Sequence, residues 1–70
     1  MTIIRAEGAA VVAEIHVAPG QKVAAGTVLI VTELMKMRHE IPAGESAVVV
    51  AVHVAQGDEL QGGEPLLTLE

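Results

Sequence analysis

The stretch Ala-Val-Val-Ala-Glu-Ile-His-Val-Ala-Pro-Gly, residues 10–20, decides the fold because it returns as Ala-Val-Val-Val-Ala-Val-His-Val-Ala-Gln-Gly at residues 47–57. A shift of 37 positions lays residues 4–33 over residues 41–70 without a gap, and 12 of the 30 pairs are identical. Composition alone would give roughly three identities. The chain is therefore two copies of one motif. Thirty residues are too few for an independently stable unit, so we expect the copies to share one core about a pseudo-two-fold axis.

Each copy has the period of a β-strand, with apolar residues alternating with polar or small ones. The alternation predicts that one set of side chains faces the core. This set is Val11, Ala13, Ile15, Val17, Val48, Val50, Val52 and Val54. The intervening His16 and His53 are predicted to face outward. Residues 28–33 and 65–70 are apolar on both faces, which predicts two strands that are covered on both sides.

Turn residues separate these strands at matching places in the two copies. The glycines expected to close turns are Gly20, Gly26, Gly57 and Gly63. Residues 32–40 contain good helix formers, but they lie between two β-patterned copies with no other helix to pack against. We therefore predict a hairpin, with one strand ending at residues 33–35, Lys36 at the tip, and Met37, His39 and Ile41 alternating with Arg38 and Glu40 on the return strand.

Composition limits the classes of function. The 70 residues carry a formal net charge of −5, contain no Cys and no Phe, Trp or Tyr, and are 51% hydrophobic. The absence of thiols excludes disulfides and Cys-based zinc sites. Four scattered cations without aromatic rings exclude a nucleic-acid binder. No apolar run approaches the ~20 residues of a membrane-spanning helix, and no leader follows Met1, so we expect a cytoplasmic protein without a membrane partner.

The sequence offers no arrangement of residues for catalysis or metal binding. It has no Cys nucleophile, glycine-rich phosphate loop or metalloprotease motif, and a barrel this small has little room for a substrate pocket. His16, His39 and His53 are too far apart to form a ligand pair of i, i+2 or i, i+4 spacing. We therefore expect neither catalytic residues nor a metal site.

Lys36 stands apart from the other polar residues. The chain has only two lysines, and Lys22 aligns with Glu59 of the second copy, an interchangeable surface position. Lys36 lies outside the aligned pairs, at one predicted end of the molecule. The flanking Met35 and Met37 are bulky apolar residues at a turn that is expected to be exposed. On the residues alone, an ordinary surface lysine is an equally good interpretation.

The run Glu33-Leu34-Met35-Lys36-Met37 between two strand-Gly-strand copies closely resembles the biotinyl domain of biotin carboxyl carrier proteins, whose motif is Glu-Ala-Met-Lys-Met. The resemblance extends over the whole chain through the repeated Val-x-x-Gly spacing, carried by Val17, Gly20, Val23, Gly26, Val54, Gly57, Leu60 and Gly63. It implies an all-β fold over residues 1–70, a flattened eight-stranded barrel or sandwich of two four-stranded antiparallel sheets with quasi-two-fold symmetry. It places Lys36 at one hairpin tip and both termini at the far end.

The resemblance also implies a carrier rather than an enzyme. A biotin protein ligase would attach biotin to Lys36, recognising Glu33, Leu34, Met35 and Met37 around it. The biotinyl group would then visit a biotin carboxylase and a carboxyltransferase. A lysine that serves as acceptor must be exposed at a rigid tip, and the carrier contributes effective concentration rather than catalytic groups.

Several residues depart from the family pattern. Leu34 replaces the usual Ala, Ala10 and Ala47 replace Gly before the paired valines, and Arg38 and residues 43–46 are atypical. No insertion corresponds to a protruding thumb, so the chain resembles the minimal, stand-alone biotin/lipoyl attachment proteins. Two alternatives stay open. One is a lipoyl domain, whose tip normally reads Asp-Lys-Ala, and the other is an unmodified interaction module, for which Leu34 is the distinguishing feature.

Overall fold

The computed structural model describes residues 1–70 as eight β-strands without a helix. The strands are β1 (Thr2–Arg5), β2 (Ala10–Ile15), β3 (Lys22–Val23), β4 (Val28–Leu34), β5 (Met37–Pro42), β6 (Ala47–Val52), β7 (Glu59–Leu60) and β8 (Pro65–Leu69). They form two four-stranded sheets, ordered β1-β8-β6-β3 and β5-β4-β2-β7, in which every neighbouring pair is antiparallel. The predicted sandwich is confirmed. No helix long and apolar enough to cross a membrane is present.

The internal repeat is visible in the topology. Adding 37 to the residue numbers converts β1 to β5, β2 to β6, β3 to β7 and β4 to β8, and the same exchange converts one sheet order into the other. Each sheet contains strands of both copies, because β8 pairs with β1, β6 with β3 and β7 with β2. The two copies are therefore interlocked, as the length of the repeat predicted.

Two central strands are buried on both faces, as predicted. In β4 the consecutive residues 29–32 are buried, and in β8 residues 66–69 are buried. Leu29 and Leu66 are repeat mates, and both are fully excluded from solvent. The rest of the core is aliphatic and comes from both copies; besides these two leucines it contains Ala6, Val12, Val17, Val23, Ile30, Ala43, Val49, Leu60, Leu67 and Leu69.

The predicted inward face is wrong for the first half of β2 and β6. Val12 and Val49 are 1% and 0% exposed, whereas Val11 and Val50 are each 41% exposed. The cause is a register shift between Val12 and Glu14, repeated 37 residues later, which inserts one extra residue into each strand. Such a bulge reverses the parity of the alternation. Past the bulge the prediction holds, because Ile15, Val17, Val52 and Val54 all belong to the core or pack against it.

The turn between β7 and β8 contains two glycines with positive φ, Gly62 and Gly63. Gly62 has a φ of +124°, and a Cβ atom there would approach the Cα of Gly8 to 3.3 Å. The four expected turn glycines, Gly20, Gly26, Gly57 and Gly63, have φ values between +88° and +93°. Gly62 is therefore a fifth turn position, and glycine is required there both by the positive φ and by the close approach of the loop after β1.

The Glu64 carboxylate holds this turn in place and should give the fold a dependence on pH. It accepts hydrogen bonds from the backbone N–H groups of Gln61 and Gly62, both 2.6 Å long, and backbone hydrogen bonds, that of Gln61 foremost, lower the pKa of Glu64 below its usual 4.5. A lowered pKa in the folded state stabilises the fold above the unfolded-state pKa, and this stability is lost as the pH falls through the folded-state pKa.

We therefore expect Glu64→Gln to weaken the fall in melting temperature below about pH 4.5. Thermal unfolding followed by circular dichroism between pH 7 and pH 3 would measure it. Glu45→Gln is the matched control. It removes the same charge, but the Glu45 side chain makes no hydrogen bond to the backbone, so none is lost. Parallel pH profiles for Glu64→Gln and the unsubstituted chain would contradict the assignment.

Candidate functional site

The β4–β5 hairpin carries Lys36 in a two-residue turn. Leu34 and Met37 form the last pair of the ladder, and the two residues between them, Met35 and Lys36, have φ values of 54° and 65°. Positive φ at both central residues defines a type I′ turn, whose backbone twist matches that of the flanking strands. Strand β4 therefore ends at Leu34, one residue before Met35, the last strand residue predicted from the sequence, and Lys36 lies in the turn.

The hairpin tip is apolar and exposed. Met35, Met37 and Leu34 are 85%, 62% and 47% exposed, and all three flank Lys36 in the chain. Only two ion pairs occur in the molecule, both on Glu14, and Lys36 makes neither an ion pair nor a side-chain hydrogen bond. The tip thus combines an unpaired ammonium group with three exposed apolar side chains, on a strand whose preceding residues are buried.

Arg38, which is atypical for the resembled family, has a partner on the outer face of the same sheet. Its guanidinium donates to the Glu14 carboxylate, which also bonds His16 Nε2 at 2.6 Å. The hydrogen bond with His16 is the main cause that lowers the pKa of Glu14; desolvation opposes it, and the charge and hydrogen bond of Arg38 lower the pKa further. Side chains that are about half exposed gain little stability from such pairs. The cluster therefore orders Arg38 beside the tip rather than stabilising the fold.

The three histidines lie in separate environments. His16 bonds Glu14, His53 Nε2 lies 2.7 Å from the Thr68 hydroxyl, and His39 faces Thr32 across the β4–β5 ladder. No group of three or more His, Asp or Glu side chains is placed to hold a metal ion. His16 and His53 are exposed, as the alternation predicted.

A groove of about 530 Å³ runs beside the hairpin. The sequence did not predict it. It lies between the inner face of the hairpin, strand β1 and the loop after β1, and its floor and walls include Ile4, Thr32, Leu34, His39, Ile41 and Leu66. One feature of the sequence could have indicated the groove: Thr32 is polar, whereas its repeat mate Leu69, in the corresponding buried strand, is apolar. We call this the hairpin groove.

The residues present fit a group joined to the chain through an amide. Lys36 offers an exposed amine that no acidic side chain neutralises, in a turn whose geometry is held by two paired strands. Lys22, the other lysine, lies in β3 with Val48 as its ladder partner and has no exposed apolar neighbours in the chain. Acyl transfer to a lysine requires that the amine lose its proton and reach the acyl donor, which an unpaired amine at a protruding turn allows.

The unusual backbone of the turn leads to a stability prediction. Left-handed φ costs a non-glycine residue roughly 1–2 kcal/mol, and asparagine adopts this conformation more readily than methionine. We expect Met35→Asn to raise the free energy of unfolding by about 0.5–1 kcal/mol, and hence the melting temperature by roughly 2–8 °C. Met37→Asn is the control, because Met37 is in β5 and should gain nothing. Equal stabilisation by both substitutions would contradict the interpretation that the positive φ of Met35 strains the turn.

Comparison with known proteins agrees with the fold. A family model described as "Biotin-requiring enzyme", of the biotin/lipoyl type, matches residues 2–69. A single-chain, multi-domain long-chain acyl-CoA carboxylase contains a similar structure with a TM-score of 0.87 and 36% identity over 94% of this chain. The chain corresponds to 6% of the length of that carboxylase. A search of curated protein sequences gave no match.

Two further structures are similar. The lipoyl domain of the 2-oxoglutarate dehydrogenase complex from Azotobacter vinelandii aligns with a TM-score of 0.80 and 27% identity, over 90% of this chain and 80% of that domain. The urea carboxylase of Kluyveromyces lactis aligns with a TM-score of 0.87 over 99% of this chain and 6% of its own length. Its 23% identity shows a shared fold and no more.

Proposed function

Because the chain belongs to the biotin/lipoyl attachment family over residues 2–69, we propose that Lys36 carries biotin in amide linkage and that the domain shuttles a carboxyl group between a biotin carboxylase and a carboxyltransferase. The observation that carries this proposal is the Met35-Lys36-Met37 turn, in which an unpaired amine is flanked by two exposed thioethers. The similarity to an acyl-CoA carboxylase at 36% identity supports it.

Each residue of the hairpin has a role in this proposal. Lys36 supplies the amine, and a biotin protein ligase recognises Glu33, Leu34, Met35 and Met37 around it. The exposed methionines suit recognition, because flexible thioether side chains pack well against apolar surfaces of a partner. The bound biotin would supply the carboxyl-carrying ureido nitrogen. The domain itself contributes position and effective concentration and no catalytic group, which is a carrier role.

Lipoate is the second candidate cofactor, supported by the similarity to a lipoyl domain at 27% identity. A lipoyl carrier would move acyl groups or electrons in a 2-oxo acid dehydrogenase system. The tip residues favour biotin, because Met35 and Met37 match the Met-Lys-Met motif, whereas the lipoyl motif normally reads Asp-Lys-Ala. A third candidate, an unmodified interaction module, rests on the atypical Leu34.

Intact-mass analysis of the protein from its native host, followed by peptide mapping, tests the proposal. We expect a biotinyl increment on the peptide that contains Lys36. A lipoyl increment on the same residue would replace biotin with lipoate, and an unmodified chain from a host with active ligases would favour the interaction module. An increment on Lys22 would contradict the choice of residue.

The half-exposed Leu34 should also affect attachment. It pairs with Met37 across the hairpin, directly beside the residues that a ligase contacts, and it is bulkier than the alanine of the motif. We expect Leu34→Ala to raise the kcat/KM for biotinylation by a biotin ligase about 5-fold, equivalent to roughly 1 kcal/mol of transition-state stabilisation. The control is Ile3→Ala, at a similarly exposed apolar site in β1. An unchanged rate would show that a ligase accepts leucine there.

A further inference from the structure

The hairpin groove has a counterpart that the internal repeat supplies. A second groove, of about 480 Å³, is lined by Thr2, Gly44, Ser46, Leu69 and other residues at the end of the chain. Its lining contains the repeat mates of Thr32, His39 and Ile41, which are Leu69, Thr2 and Ile4. We call it the terminal groove. The two grooves are related by the pseudo-two-fold axis, and one of them lies beside Lys36 whereas the other lies beside the chain termini.

The two grooves differ in one chemical respect. Thr32 is 7% exposed and lines the hairpin groove. Its hydroxyl makes no hydrogen bond within the protein and is accessible to solvent. The other buried polar residue, Thr68, is bonded to His53. Opposite Thr32 lies His39, an exposed residue that also lines the groove and makes no side-chain hydrogen bond. The terminal groove has an apolar leucine, Leu69, where the hairpin groove has a hydroxyl without a protein partner.

The Thr32 hydroxyl is the accessible part of a side chain that is otherwise buried, and no protein group bonds it, so water or a ligand in the hairpin groove is its available partner. We propose that the hairpin groove is a resting site for the ring of the group carried by Lys36, and that Thr32 and His39 hydrogen-bond its ureido function. This inference rests on the proposed function and identifies where the carried group lies when it is not at a partner enzyme. It assigns to this chain a second contact for biotin besides the amide on Lys36.

The covalent arm is long enough for this arrangement. A lysine side chain extended by a five-carbon acyl chain has about ten bonds and reaches roughly 12 Å. The groove begins at Leu34, two residues from Lys36, and His39 is three residues away, so the required reach is about 7–10 Å at ~3.3 Å per residue. Thr32 is four residues from Lys36 in the chain, but it is the ladder partner of His39, so a ring that reaches His39 also meets Thr32. The bicyclic ring would pack against the aliphatic walls, which include Ile4, Ile41 and Leu66.

The chemistry of the groove favours a ureido ring over a dithiolane. A ureido ring has two N–H donors and one carbonyl acceptor, and a threonine hydroxyl and an imidazole each donate and accept. A dithiolane has no N–H group and would leave Thr32 unsatisfied. Resting must also be reversible, since the ring has to reach another enzyme. A short tether gives an effective concentration on the order of 1 mM, so an intrinsic Kd of about 1 mM would fill the groove roughly half of the time.

Titration of the unmodified, ¹⁵N-labelled chain with Nε-biotinyl-lysine tests the site without any ligase. We expect the amide resonances of Thr32 and His39 to shift and saturate with a Kd of about 1 mM, while those of Leu69 and Thr2 in the terminal groove stay in place. On the chain that carries biotin on Lys36, verified by mass, the same amides should shift without added probe. No shift up to about 10 mM, or equal shifts in both grooves, would overturn the proposal.

Two variants and a second probe sharpen the test. Thr32→Val keeps the shape and removes the hydroxyl, and we expect it to raise the Kd about 5-fold, the effect of one hydrogen bond. Thr2→Val in the terminal groove is the matched control and should leave the Kd unchanged, and dispersed amide spectra show that both variants fold. Unchanged affinity in Thr32→Val would overturn the role of the hydroxyl.

Nε-lipoyl-lysine is the comparison probe, for which we expect shifts at least about 5-fold weaker at equal concentration. Equal or tighter binding of this probe would overturn the preference for a ureido ring. These outcomes are independent of the proposed function, because an unmodified Lys36 in the native host would refute biotin carriage without altering any of the titrations.

Discussion

Lys36→Arg is expected to abolish attachment of biotin completely, with at least a 100-fold loss of the biotinyl signal, and to leave the fold intact. Arginine keeps the charge and nearly the length of lysine, but its guanidinium stays protonated at every accessible pH and cannot serve as the amine nucleophile. The position is exposed and unpaired, so the free energy of unfolding should change by less than about 0.5 kcal/mol. Intact-mass analysis and a streptavidin blot of protein produced with a biotin ligase would measure the loss.

Lys22→Arg is the matched control for this experiment, because it makes the same substitution at the only other lysine. Lys22 lies in β3, within a paired strand, and we expect this variant to be labelled as completely as the unsubstituted chain. A persistent biotinyl signal in Lys36→Arg would mean that another group is the acceptor. A signal lost in Lys22→Arg and kept in Lys36→Arg would reverse the assignment.

The fold could be predicted from the sequence because the repeat acts over the whole chain. Two copies of thirty residues, each with the period of a strand, leave few arrangements other than interlocked sheets, and turn glycines at matching places mark where the strands end. When each strand is replaced by its repeat mate, the order of one observed sheet becomes the order of the other. This confirms the predicted pseudo-two-fold arrangement of the two copies.

The facing of individual side chains could not be predicted in the same way. Ala13 and Val50 occupy the bulges, and neither is a residue that marks a bulge in a sequence, as glycine would. The alternation of Val11, Ala13 and Ile15 is regular in the sequence but is interrupted in space. A register shift depends on the pairing between a strand and its neighbour, and the pattern of residues within one strand does not determine that pairing.

Of the candidate site, only the position of the hairpin tip could be predicted from the sequence. The tip was accessible to sequence reasoning because Met35, Lys36 and Met37 are contiguous. The hairpin groove was not, because Thr32 and His39 are seven residues apart and face each other only through the register of β4 and β5. The cluster of Glu14, His16 and Arg38 likewise joins residues on two strands across β4.

Leu66→Ala should cause a much larger loss of stability than any substitution at the hairpin tip, because it removes a fully buried side chain from β8, which lies between β1 and β6. A buried Leu→Ala change costs about 2–5 kcal/mol, whereas a chain of this length has a total stability of only about 3.5–10 kcal/mol. We expect the melting temperature to fall by at least 10 °C. Leu34→Ala, the same substitution at a side chain that is 47% exposed, should cost less than about 0.5 kcal/mol.

The same substitution tests whether the two copies fold as one unit. Leu66 belongs to the second copy, but β8 pairs with β1 of the first copy and its side chain packs in a core that both copies build. If the copies are interlocked, Leu66→Ala should lower the hydrogen-exchange protection of the first copy by the same free energy as that of the second. The same should hold for its repeat mate, Leu29→Ala. Loss of protection confined to residues 41–70 in Leu66→Ala would show that the copies are separable, and would contradict the shared core from which the fold was derived.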